Sequence, residues 1–209
     1  MRTGFIFFLV FSLTLITGCK KGPGSFTLEG TITDDSFGLP MTGATVELYG
    51  IASGSNQYTK IASAVTGVDG KYQFIFERTR TEKYTLKVKK TLYFDQEIDL
   101  YYSQLSLQET NIQDVHTSAK SWVEIRIFNS NPSNFDHLQF IRQQGKSGCA
   151  ECCGGELTHL YGVQDTSVFC INDGNSLYSI EYAVYGTSNT GVIGVNTVPF
   201  DTTLLILNY

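Results

Sequence analysis

Apolar residues in this chain recur at every second position, in short runs closed off by turn residues, and that period leaves little choice of architecture. Phe26, Leu28, Gly30 and Ile32 alternate with polar neighbours, as do Val46 and Leu48, then Tyr72, Phe74 and Phe76, then Tyr84, Leu86 and Val88. A period of two places one set of side chains on one face of an extended strand and the other set in water. The interruptions carry turn chemistry at Asp34-Asp35, Gly38-Leu39-Pro40 and Asp69-Gly70, and Asp-Gly ahead of an alternating run favours a hairpin. Seven further short runs, at 122–128, 135–144, 157–161, 167–172, 177–185, 192–198 and 202–208, are separated by breaks such as Asn131-Pro132, Asp173-Gly174 and Asn189-Thr190-Gly191. The chain has 14 Phe and 12 Tyr and no long period-3.6 pattern, which suits strands throughout. We read an all-β protein of two β-sandwich domains in tandem, 25–103 and 104–209, because 209 residues fit two units better than one. The junction is placed in the polar, weakly patterned stretch 101–119.

Charge narrows the partners. Residues 25–103 carry a net of −2 and residues 104–209 a net of −6. Binding to nucleic acid needs the opposite sign and a basic stripe, so that class is set aside.

The first residues are read apart from the fold. Arg2 gives a positive start, and 5–18 is an uncharged stretch of 14 residues. A bilayer span takes about 20 apolar residues, so this stretch reads as the core of a signal peptide. It ends Leu15-Ile16-Thr17-Gly18-Cys19, which resembles the lipobox of bacterial lipoproteins. The resemblance implies a signal peptide over 1–18, a diacylglycerol on the Cys19 sulfur and a lipidated tether over 19–24. The membrane would then be the first partner, and the location would be the cell envelope, most naturally the outer membrane. Each buried CH₂ contributes roughly 0.8 kcal/mol, so two or three acyl chains hold a protein in place. Lys20 and Lys21 would sit beside lipid headgroups.

Three motifs in order resemble the carboxypeptidase regulatory-like domain, a seven-stranded prealbumin-like β-sandwich. They are Gly30-Thr31-Ile32-Thr33-Asp34, then 38–48 with Gly43-Ala44-Thr45-Val46-Glu47-Leu48, then 66–74 with Asp69-Gly70-Lys71-Tyr72-Gln73-Phe74. The likeness covers about two fifths of the chain, and the polar stretch 51–57 departs from it as a lengthened hairpin loop. It implies an accessory module without catalytic residues, in which Gly43 and Gly70 hold turns while Tyr72 and Phe74 serve the core. Some relatives work beside glycan-handling or transport machinery, which makes a sugar or an envelope protein the expected ligand.

With Cys19 lipidated, four cysteines remain: Cys149, Cys152, Cys153 and Cys170. An even number in an exported chain reads as disulfides, in one of three pairings. If extended, Cys152 and Cys153 point to opposite sides and take separate partners. One bridge from the glycine-rich loop to Cys170 would contribute about 2 to 4 kcal/mol. Two alternatives stand beside this reading. One is a metal site of Cys149, Cys152, Cys153 and Cys170 with His159. The other is a redox-active Cys149-x-x-Cys152, although Gly154-Gly155 argue against the helix such a motif starts.

The remaining candidates are sparse. His116, His137 and His159 have no motif-spaced nucleophile, and Ser121, Ser133 and Ser167 lie in no nucleophile elbow. Trp122, Tyr161, Tyr182 and Tyr185 could form a sugar-stacking platform or could pack the core. The expected function is a non-enzymatic, membrane-anchored envelope module that binds or scaffolds, without a cofactor. Carbohydrate binding and metal or thiol chemistry are the alternatives.

Overall fold

A computed structural model describes residues 24–209 apart from 53, 56 and 80. The expected signal peptide, Cys19 and the two lysines of the expected tether lie outside the described residues. In chain order the first half supplies β1 (Ser25–Asp34), β2 (Leu39–Pro40), β3 (Thr45–Ala52), β4 (Tyr58–Val65), β5 (Lys71–Glu77), β6 (Thr81–Lys89), β7 (Gln96–Tyr101), β8 (Asn111–Ile112) and β9 (Val115–Thr117). One sheet is built on β1, with β5 antiparallel on one side and β8 and β9 parallel on the other, while β2 pairs with its end. The facing sheet runs β4-β3-β6-β7, antiparallel throughout.

The period-two residues meet between these sheets. Phe26, Leu28, Ile32, Tyr72, Phe74 and Phe76 bury against Val46, Leu48, Tyr84, Leu86 and Val88. Each fully buried side chain of this size contributes roughly 1.5 to 3 kcal/mol. The Phe76 and Tyr84 rings pack edge to face with centroids 4.9 Å apart. Gly43 and Gly70 do hold left-handed turns, with φ of 74° and 68°, a region that a side chain makes costly. Of the polar stretch 51–57, Ile51 and Ala52 end β3, and β4 begins at Tyr58.

The second half supplies β10 (Lys120–Phe128), β11 (His137–Gln144), β12 (Thr158–Tyr161), β13 (Asp165–Asp173), β14 (Leu177–Val184), β15 (Thr190–Asn196) and β16 (Thr202–Asn208). One sheet runs β13-β10-β16, with β10 and β16 parallel, and the other runs β12-β11-β14-β15. Val123, Ile125, Ile127, Leu138, Phe140, Tyr178, Ile180, Leu205 and Leu207 fill the space between them. The chain is therefore an all-β protein of β-sandwich construction with two separate cores.

The expected boundary at 103/104 needs correction. Residues 104–119 complete the first sandwich, since β8 and β9 lie along β1, and Val115 and Ala119 belong to its core. Polar side chains bind this segment, which is why its hydropathy reads as a linker. The Asn111 amide donates to the Thr27 carbonyl at 2.9 Å, and the Asp114 carboxylate accepts from the Thr31 N–H at 2.8 Å. Gly30 permits the close approach: a Cβ there would collide with the Gln113 carbonyl.

The two sandwiches join end to end. Val115 to Phe128 is almost one extended run, serving the first sandwich as β9 and the second as β10. Around the crossing, Lys120 donates its N–H to Leu92 and Phe94 donates to Ser118. The Asn175 amide reaches the Ser36 carbonyl at 2.8 Å. The Phe200 ring packs on Phe37 and Tyr93, with centroids 6.2 and 5.4 Å away. Leu92, Asn175 and Phe200 have positive φ without being glycine, a conformation of order 1 to 3 kcal/mol above the usual wells that persists only where surrounding contacts dictate it. All three sit at this junction.

Candidate functional site

Strand direction sorts the loops of the second sandwich into two groups. β10 leaves the junction, so residues 129–136, 161–165 and 185–189 gather at the far end. Hydrogen bonds from Asn129 to Gln164, Gly162 to Asp136 and Tyr185 to His137 tie them together. The Asp136 carboxylate shapes the first of these loops by accepting from the Asn129 amide and the Ser133 N–H, both at 2.6 Å.

This tip carries the most exposed aromatic surface of the second sandwich. Phe135 is 96% exposed, Tyr185 72% and Tyr161 67%. Leu138 and Phe140 of β11 face the core, so His137 and Gln139 face outward. The antiparallel register pairs His137 with Tyr161 and Gln139 with His159, which brings both histidines to the same outer face. His137 Nε2 lies 2.9 Å from His159 Nδ1. The His137 ring stacks on Tyr161 at 4.3 Å with planes 18° apart, and Tyr185 leans on it at 5.5 Å. Along the chain the two histidines stand 22 residues apart, with no motif to join them. The signal that would have joined them is the register of the β11–β12 hairpin, and its long intervening loop hides that register.

Other expected members lie elsewhere. Tyr182 packs toward the core with its hydroxyl 3.4 Å from the Asn189 side chain, and Trp122 lies half-buried on the outer face of the other sheet. The four-aromatic platform is therefore not assembled. His116 is exposed at the junction side, 2.8 Å from the Asp35 carboxylate. Ser121 is buried and donates to the Asn172 and Asp173 carbonyls, Ser133 caps the tip loop, and Ser167 donates to Glu124 at 2.6 Å.

The cysteines sit at the opposite, junction end. Cys149 bonds to Cys152 and Cys153 to Cys170, with Cα atoms 5.2 Å apart in each pair. This resolves the open connectivity, with Cys152 and Cys153 taking separate partners. It corrects the metal alternative: all four sulfurs are in covalent pairs, and His159 stands beside His137 instead. Among the described residues no set of three or more His, Cys, Asp or Glu converges on a common point. The C-x-x-C segment forms a turn rather than a helix start. The loop also braces the junction. The Arg142 guanidinium donates to the Lys146 and Cys153 carbonyls, and the Lys146 ammonium pairs with Asp173 at 2.8 Å while lying 4.3 Å above the Phe94 ring of the first sandwich. Lys120 pairs with Glu151 of the loop at 2.9 Å.

No helix among the described residues is long and apolar enough to cross a membrane. No family model matches the chain, and no curated protein matches it. Among solved structures, the chain aligns with the Bacillus anthracis TIE protein at 14% identity and a TM-score of 0.37, over 88% of this chain and 34% of that one. It thus spans about a third of that protein's length. It aligns with GBS52, the minor pilin of Streptococcus agalactiae, at 10% identity and a TM-score of 0.36, over 88% and 94% of the two chains. It aligns with a DUF3823 family protein from Parabacteroides merdae at 11% identity and a TM-score of 0.34, over 85% and 99%.

Proposed function

We propose that the chain is a non-enzymatic, lipid-anchored envelope module that carries an exposed aromatic tip away from the membrane for binding. The observation behind this reading is the end-to-end join. The tether enters at Gly24, at the start of β1, and β1 runs toward the junction from which β10 continues to the tip. Ten residues of β1 and nine of β10, at about 3.3 Å each, separate the two ends by roughly 60 Å. Lipidation at Cys19 would fix the base, the disulfides suit an oxidising compartment outside the cytoplasm, and the strained, contact-rich junction would keep the tip from folding back. The first sandwich would serve as the accessory module that its three motifs suggest.

The chain's single Trp makes the arrangement measurable. In a Trp122→Phe background, Leu107→Trp places a fluorophore beside Gly24 and Phe135→Trp places one at the tip. With the lipidated protein on vesicles containing brominated lipid, the Leu107 reporter should be quenched and the Phe135 reporter should not. Equal quenching of both would overturn the upright arrangement. Unchanged vesicle association of Cys19→Ala would overturn the anchor.

A further inference from the structure

We infer that His137 and His159 form a two-histidine site for a divalent transition-metal ion, Cu(II) foremost by the usual order of affinities for nitrogen ligands. The argument starts from separation. Two imidazole nitrogens in adjacent positions of a square-planar ion, with bonds of about 2.0 Å at right angles, stand about 2.8 Å apart. A tetrahedral zinc ion with similar bonds needs about 3.3 Å. The observed Nε2–Nδ1 separation of 2.9 Å is that of a hydrogen bond between the two rings, and a small rotation of either ring brings the nitrogens to either value.

Preorganisation is the second part. Both histidines are on paired strands rather than loops, in a fixed register. The His137 ring is stacked on Tyr161 and flanked by Tyr185, so little side-chain freedom remains to be lost on binding. His159 is exposed, leaving the other coordination positions of the ion to water or to an external donor. The half of the chain that holds the pair has a net charge of −6, which favours cation approach.

Protons balance. In the metal-free pair one facing nitrogen donates an N–H to the other. Binding needs both facing lone pairs, so that proton moves to the same ring's remote nitrogen, and a neutral pair releases none. The site is independent of the anchoring reading and survives its failure.

The test uses the full-length protein in detergent, stripped of metal and titrated with Cu(II), Ni(II) and Zn(II). One equivalent of Cu(II) should bind, with two imidazole nitrogens in its electron paramagnetic resonance spectrum. His159→Gln should reduce this to one nitrogen and weaken binding by more than about tenfold. His137→Phe, which keeps a ring against Tyr161, should do the same, while His116→Gln should leave binding unchanged. An unaltered thermal midpoint shows that each variant is folded, and His159→Gln at an exposed position is the variant expected to meet that condition. Cu(II) binding of equal strength in the His137→Phe/His159→Gln double variant would overturn the proposal. So would Zn(II) binding more tightly than Cu(II).

Discussion

Replacing Cys153 and Cys170 together by Ala should lower stability far more than replacing Cys149 and Cys152. The Cys153–Cys170 bridge closes a loop with a sequence separation of 17, for which unfolded-state entropy gives about 3 kcal/mol at 25 °C. Cys170 is buried in the second core, and removing its sulfur adds about 1 kcal/mol. The Cys149–Cys152 bridge spans three residues and contributes under about 2 kcal/mol. Differential scanning calorimetry then reads more than stability. If the second sandwich melts alone, each kcal/mol corresponds to roughly 4 to 8 °C, and the midpoint falls by about 15 °C or more. If both sandwiches melt as one body, the larger unfolding entropy halves the drop, to about 8 to 16 °C. The end-to-end contacts favour the second, smaller shift. An unchanged midpoint in Cys153→Ala/Cys170→Ala, or a larger loss in the Cys149/Cys152 variant, would refute the reasoning. So would four alkylatable thiols in the oxidised wild type.

Three further substitutions test the first sandwich. Gly30→Ala forces a methyl group into the Gln113 carbonyl and should cost about 3 kcal/mol in chemical denaturation, with loss of amide protection along β8 and β9. Tyr84 is fully buried, and its hydroxyl has no hydrogen-bond partner among the described residues. Tyr84→Phe should therefore raise stability by about 1 kcal/mol, and a loss of that size would show that the hydroxyl is satisfied. The hydrogen bond from Lys83, at 2.6 Å, holds the Asp99 carboxyl below its ordinary range, with Thr85 assisting. The lower folded value means that its stabilisation is present above about pH 4 and is lost as pH falls through the folded value. Asp99→Asn should flatten that acid limb by no more than about 1 kcal/mol, since both partners are partly solvated; an unaltered limb would remove Asp99 from the account.

What could be read from the sequence followed from side-chain period. β1, β3 and β5, with β10 and β16 of the second sandwich, bury alternate residues, so hydropathy alone marks them. β8 and β9 are two and three residues long, too short to show a period. They are held by backbone pairing to β1 and by Asn111 and Asp114, features that polarity disguises as a linker. The pairing of Cys153 with Cys170 was one of three possibilities. Cys170 lies on the inner face of β13, opposite Val123, and Cys153 packs against the same core, a long-range proximity with no local trace. His137 and His159 meet for the same kind of reason: strand register, and not spacing along the chain, made them neighbours.

The parallel alignment of β1 with β9 has a mechanical meaning. A pull applied between Gly24 and the tip draws β1 toward the base, while the run from Val115 through β10 is drawn the other way. Neighbouring strands are then asked to slide lengthwise past each other. Their cross-strand hydrogen bonds lie across the line of force and must yield together, where a hairpin tugged at its open end would give them up one by one. Shear of this kind puts the load on the unfolding barrier rather than on any single bond. Under tension the first sandwich is a clamp, and β8 and β9, the least conspicuous strands in the sequence, are one of its jaws.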